Sequence, residues 1–276
     1  MKISIVIPSL YYVDGEYLKM CVESLRASGI TWNIVVVTNG SSAPPKLNFR
    51  GVTRHLHNLK QGQCNAVNIG VGALDIDTDY VMVSNSDMYY APGWDKNLKF
   101  GFDCFSPNLV EPTDNAGSAP PFLKFNGGLT LEAFDKEAVN GFIREEVDKE
   151  YSPQEKNETG FNLPFFIKKK LWDVVGGYDE AYDPWSSNSD TDLQTKINLA
   201  GVTPMRLRDV LVYHFGSKSG TFDGTHQDFY RNNIEYFRNK FGFDRDELGS
   251  DVWRNKDMLP TDPEQIKYHQ ELYGLR

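Results

Sequence analysis

Three short segments in the first third of the chain are apolar at nearly every position: Ile3 to Ile7, Ile34-Val35-Val36-Val37 and Tyr80-Val81-Met82-Val83. A strand with one face in water alternates apolar and polar residues. A strand covered on both faces does not, so these runs predict strands sandwiched between helical layers. The intervening stretches carry the complementary pattern. Leu18, Cys21, Val22 and Leu25 recur at helical spacing with Gly29 as a stop, and Cys64, Val67, Val71 and Leu74 mark one side of a second helix. Residues 51–57 leave room for a shorter strand. Strands alternating with helices predict an α/β fold, a mostly parallel central sheet flanked by helices with right-handed crossovers.

The second half is less regular. Residues 106–121 carry Pro, Asn and Gly and read as loop. Residues 131–151 have helical character but so many charges that a solvated helix is expected, and residues 152–160 are polar. Order returns at Leu163-Pro164-Phe165-Phe166-Ile167. Lys168-Lys169-Lys170 opens a helix with a solvated face. Leu193, Ile197 and Ala200 mark a short helix stopped by Gly201, and Val210 to Tyr213 a strand. Tyr230, Ile234, Phe237 and Phe241 form a helical stripe closed by Gly242. The expected organisation is one domain over 1–242, with a first half (1–105) that looks like a nucleotide-binding α/β layer and a second half (106–242). Residues 243–276 form a C-terminal extension, with Trp253 and Tyr268 as candidate anchors.

Net charge bounds the partners. At −9 over 276 residues, a broad phosphate-backbone footprint is disfavoured, so nucleic acid is not the expected partner. No apolar run reaches the length of a membrane span, and the N-terminus reads as a strand rather than a signal peptide. Cys21, Cys64 and Cys104 have no metal-type spacing and suit reduced core thiols, which points to a cytoplasmic location.

Loops after successive parallel strands face one crevice. Four should converge there: Pro8-Ser9-Leu10-Tyr11, Thr38-Asn39-Gly40-Ser41, Asn58 through Asn68, and Asn85-Ser86-Asp87. Asp87 could hold a divalent cation, and the cation a diphosphate. Asn, Ser and Asp also favour plain turns, so the tripeptide alone leaves both open. Tyr11 and the Asn39 amide offer a plane and a donor–acceptor pair to a nucleobase. No G-x-G-x-x-G follows the first strand and no P-loop is present, which argues against dinucleotide redox and ATP hydrolysis of those classes.

The order Ile5-Val6-Ile7-Pro8-Ser9, Asn39-Gly40-Ser41, Asn58…Gly62…Asn68-Ile69-Gly70, Asn85-Ser86-Asp87 resembles the family 2 glycosyltransferases of GT-A fold. Gly176-Gly177-Tyr178-Asp179-Glu180 resembles that family's Gly-Gly-Phe-Asp-Glu, and Ser189-Asp190-Thr191-Asp192-Leu193 its Glu-Asp-x-Asp-Leu. The resemblance spans about residues 1 to 220. It implies an inverting transfer of a sugar from a nucleotide-diphosphate donor to a hydroxyl acceptor, a glycan by family analogy. It implies Asp190 as catalytic base, Asp87 and His214 as metal ligands, and Asn39 as a reader of the base. It places Asn85 near the donor ribose or a metal-bound water. Pro8, Ser9, Tyr11, Asn68, Ser86 and Lys218 complete the candidate donor-binding set. An oxygen and imidazole site suits Mn2+ at least as well as Mg2+.

Three further expectations concern the same region. Ser189 could cap its helix with Asp192 reaching back as a capping box. Trp185 could face an acceptor or anchor the core. Residues 218–226 could close as a lid. Thr38, Asn85 and Ser189 replace acids common at those positions, which keeps open a non-catalytic sugar-nucleotide or glycan binder on the same fold. A glycosyltransferase acting on modified DNA bases is a further alternative. A nucleotidyltransferase lacks support, because no Gly-rich basic loop follows the first strand.

Overall fold

The computed structural model describes residues 1–113, 119, 123–149, 157–216, 218 and 227–243, together with 264, 267, 268 and 271. The apolar runs form strands: β1 (Ile3–Ser9), β2 (Asn33–Asn39), β3 (Arg54–Asn58) and β4 (Tyr80–Val83). β1 and β4 are buried at every residue, as expected of strands covered on both sides. Helix α1 (Tyr11–Ala27) packs on one face through Leu18, Cys21, Val22 and Leu25, and α2 (Gln63–Gly72) on the other through Cys64, Val67 and Val71. β1 pairs parallel with both β2 and β4, and β2 with β3. The carboxyl ends of these four strands therefore share one edge.

Then come β5 (Met88–Tyr89), β6 (Cys104–Val110), α3 (Lys136–Val147), β7 (Asn157–Thr159), β8 (Phe165–Lys168), α4 (Lys169–Val175), α5 (Ser189–Leu199), β9 (Met205–His214) and α6 (Gln227–Phe241). The sheet order is β3-β2-β1-β4-β8-β6-β9-β5, with β7 on β9. The sheet is mixed rather than mostly parallel. β8 runs antiparallel to β4 and β6, and β9 is parallel to β6 but antiparallel to β5 and β7. A run such as Phe-Phe-Ile buries equally well in either direction, so its composition carries no sign of strand polarity.

Two expectations for the middle need correction. Residues 106–110, expected as loop, belong to the fully buried strand β6. The register with β9 shifts after the Pro107–Leu207 pair, where β9 carries three extra residues before Leu211 pairs with Asn108. The charged segment does form a helix, α3, but a packed one: Val139, Ile143 and Val147 join the core. Lys136, Glu137, Arg144 and Glu145 lie exposed, while Glu146 is buried with the apolar residues. β9 is longer than the expected strand. In α6, Phe237 and Phe241 are buried, while Tyr230 is 38% exposed. Of the expected C-terminal extension, Trp253 lies outside the described residues and Tyr268 is exposed.

α2 lies close enough to the sheet to exclude a side chain at Gly70. A Cβ there would sit 2.4 Å from Val6 Cγ1 and 3.0 Å from Val37 Cγ2. Gly70→Ala should lower stability by roughly 1–2 kcal/mol, overpacking outweighing the better helix propensity of Ala. Urea unfolding checks this; a stabilised variant would mean that the helix is free to lift from the sheet.

Candidate functional site

A cleft of about 180 Å³ opens at the carboxyl edge of the sheet. Pro8, Ser9, Asn39, Asn85, Ser86, Asp87, Asp190 and His214 all line it. They come from sequence positions more than two hundred apart, and each is delivered by a strand end or a helix start.

The first wall is built by hydrogen bonds between loops. Asp14 is 1% exposed and accepts from Ser9 Oγ and Ser86 Oγ, each at 2.5 Å. It thereby joins the ends of β1 and β4. Burial pushes its carboxyl above the ordinary range, opposed by the two hydroxyl donors. Asn39 makes a parallel tie. Its Nδ2 donates to the Ser9 carbonyl at 3.3 Å, and its Oδ1 accepts from Gly62 N–H at 3.1 Å. The amide expected to read a base thus holds two loops together at the cleft floor.

The second wall depends on β5 and β9. Their antiparallel register sets Met88 opposite His214, and Phe215 N–H donates to the Asp87 carbonyl. Asp87 Oδ1 and His214 Nε2 are consequently 3.5 Å apart. His214 Nδ1–H donates to Glu111 Oε1 at 2.8 Å. Glu111, at the end of β6, is itself held by Lys124 Nζ at 3.0 Å and by Ala119 N–H at 2.8 Å. Burial alone would lower the His214 pKa, but Asp87 and Glu111 outweigh it and raise the value to about 9. Burial alone would raise both acids; His214 together with backbone N–H donors, and Lys124 for Glu111, outweighs it and leaves both below the ordinary range. Lys218 N–H donates to Asp87 Oδ2 at 3.2 Å. The rest of the expected lid, 219–226, lies outside the described residues.

The third wall is the segment between α4 and α5. Asp183 accepts from Cys64 N–H at 3.1 Å and Asn65 N–H at 2.9 Å, so it caps α2 from a distance. Gly62 admits this approach, since a Cβ there would sit 2.1 Å from Asp183 Cγ. Trp185 lines the cleft and meets Phe229 edge-on at 6.2 Å.

Asp190 opens α5, its side chain exposed to the cleft and its Oδ1 accepting from Tyr178 Oη at 2.5 Å. Neighbouring protein raises its pKa, against the lowering effect of Tyr178.

Some expected residues are placed elsewhere. Tyr11 begins α1 and its hydroxyl reaches the Lys46 carbonyl; it is not among the lining residues. Asn68 clasps Tyr178 and Glu180 from the back of α2. The capping box is absent: Asn188, not Ser189, precedes the helix, and its side chain makes no cap. Asp192 is instead wholly buried beside Lys240, Lys196 and the Tyr182 hydroxyl. Sequence reasoning missed Asp14 and Glu111. Glu111 could have been found as an acid directly after a buried run, had 104–110 been read as a strand. Asp14 lies on a helix face with no local signal.

No His, Cys, Asp and Glu group of three or more is arranged to hold a metal among the described residues. The donor set still fits a cation in part. One carboxylate oxygen and one imidazole nitrogen face each other, with the outer imidazole nitrogen fixed by Glu111, an arrangement common behind metal-binding histidines. Such a two-ligand site needs further oxygens from a bound molecule.

The fold and this edge cleft define a GT-A-like α/β protein. Residues 4–102 match the family described as glycosyl transferase family 2. Among solved structures it is similar to residues 1–349 of Staphylococcus aureus TarS, at 13% identity and a TM-score of 0.51, over 99% of this chain and 80% of that one. It is similar also to GalNAc-T7 with UDP, GalNAc and Mn2+, at 13% identity and a TM-score of 0.52, over 99% of this chain. The chain spans 54% of that second structure. At such identities the likeness is one of fold. No curated protein matches the chain by sequence. No helix among the described residues is long and apolar enough to cross a membrane.

The His214 environment has a measurable consequence in metal-free protein. A pKa of about 9 in the fold exceeds the ordinary 6.5, so the charged imidazole contributes stability below about pH 6.5. That contribution disappears as pH rises through about 9. Unfolding free energy in chelator should therefore decline from pH 6.5 to 9, and His214→Asn should flatten the decline. Parallel slopes for the two proteins would contradict the ion pairing.

Proposed function

We propose that the chain is a metal-dependent inverting glycosyltransferase that moves a sugar from a nucleotide-diphosphate donor to a hydroxyl acceptor. A single observation carries the reading: one cleft brings the Asp87–His214 pair and the Asp190 carboxylate together, on separate walls. Inversion requires a base on the face of the sugar opposite the leaving group.

Asp190 accepts the proton of the acceptor hydroxyl as that oxygen attacks the anomeric carbon. The bond to the diphosphate breaks with its electron pair, so negative charge gathers on the leaving group. Mn2+ or Mg2+ bound at Asp87 and His214 would neutralise that charge. The similar GalNAc-T7 structure, which holds Mn2+ and UDP, supports this assignment. Ser9, Ser86 and the loop carbonyls that Asp14 and Asn39 hold in place would border the nucleoside. Trp185 offers an aromatic wall beside Asp190 for an acceptor ring. Residues 1–242 form the transferase unit in this reading.

The screen that tests this is thermal stabilisation by a panel of nucleotide sugars, with and without Mn2+. A true donor should raise Tm only with metal. Asp190→Asn should keep that shift while reducing donor turnover at least about a hundredfold, the usual contribution of a positioned base. Asp87→Asn should lose the metal-dependent shift itself. If no donor shifts Tm with either metal, the transferase reading fails. A shift with no turnover in the native chain would favour a sugar-nucleotide binder.

A further inference from the structure

A buried hydroxyl is aimed at the cleft from the segment between α4 and α5. Tyr178 is 2% exposed. Its ring meets Trp172 edge-on at 5.8 Å and Phe165 at 6.5 Å. Its backbone is held at both ends by one side chain: Asn68 Oδ1 accepts its N–H at 3.0 Å, and Asn68 Nδ2 donates to its carbonyl at 2.9 Å. With ring and backbone fixed, the hydroxyl is directed to Asp190 Oδ1 at 2.5 Å.

Resting on Asp190 as the base, we propose that Tyr178 is its positioning residue: the phenol holds Oδ1 and leaves Oδ2 as the oxygen that takes the acceptor's proton. A carboxylate free to rotate offers either oxygen in many orientations. One short hydrogen bond from a rigid donor removes that freedom before substrate arrives, which is how preorganised sites lower a barrier. The donor also stabilises the charged form, the one that can accept a proton. Asn68 acts one step further back, by fixing the tyrosine. Its clasp explains why a residue from α2 takes part without reaching the cleft.

Among the titratable groups around the carboxyl, the phenol is the one that hydrogen-bonds it and favours its charged form, against the larger effect of burial. Cys64 approaches from α2, and its thiol is pushed well above the ordinary range by burial, so it stays neutral. Cys104 of β6 lies beyond Tyr178, and its thiol is also raised by burial. Asp183 lies beside Cys64, holding the start of α2.

The test is a carboxyl titration by NMR on the full chain labelled with 13C-aspartate, Asp190→Asn identifying the resonance. In Tyr178→Phe the midpoint should rise by about one pH unit, since a hydrogen bond to the charged form is lost and water on the cleft side replaces it in part. With 3-fluorotyrosine, a stronger donor that keeps the hydroxyl, the midpoint should fall. This second substitution retains the packing if the phenylalanine variant does not fold. An unmoved midpoint in the fluorinated protein overturns the proposal, as does one in a folded phenylalanine variant.

A kinetic arm separates this inference from the reading beneath it. With the nucleotide sugar found in the Tm screen, Asp190→Asn retaining turnover would overturn the base assignment, whatever Tyr178 does. Loss of turnover in Asp190→Asn with unmoved midpoints would overturn only the role of Tyr178.

Discussion

The parallel alignment of β2, β1 and β4 is the constraint on which the rest of the molecule depends. It delivers three strand ends to one edge, and every loop leaving that edge carries polar backbone groups that need partners. Asp14 and Asn39 meet that need across loops rather than within them. The buried Asp14 carboxylate is costly to desolvate, and two short hydroxyl donors offset that cost. The same two bonds fix the segment that ends in Asp87. Packing of the sheet and placement of the site are thus one problem, solved by the same atoms.

The other half of the cleft is set by a chain of alternating charge. Asp87, His214, Glu111 and Lys124 follow one another across β5, β9 and β6. Buried ion pairs add little net stability compared with apolar packing of equal volume. What the series supplies is direction: Glu111 takes one imidazole nitrogen, and the other is left facing Asp87. Helix α5 shows a similar division over a single turn. Asp192 points inward to Lys240, which also reaches Asp179 and so pins α6 to α5. Asp190, two residues earlier, points outward.

Much of this was legible in the chain itself. Continuous apolar runs gave β1, β2 and β4 because a strand buried on both faces has no polar position to spare. Helical spacing gave the inner faces of α1 and α2. Motif order singled out Asp87, Asp190 and His214, and all three line one cleft. Residues 106–110 were misread because Ser, Pro and Asn imply a turn when nothing shows that both faces are covered. The charged α3 was misread for the complementary reason: three apolar residues at helical spacing suffice to dock a helix that is otherwise rich in charge.

The sequence by itself determined which segments are strands and helices up to the end of β4, and which polar residues sit at strand ends. Those properties depend on local periodicity and on turn chemistry, which any short window contains. Only the tertiary structure decided the direction of β8, the register that joins Asp87 to His214, and the choice of Asp14, Glu111, Asp183 and Tyr178 as supports. Each of these is a contact between residues far apart in the chain. Its energy depends on what the neighbouring element presents, and no local pattern records that.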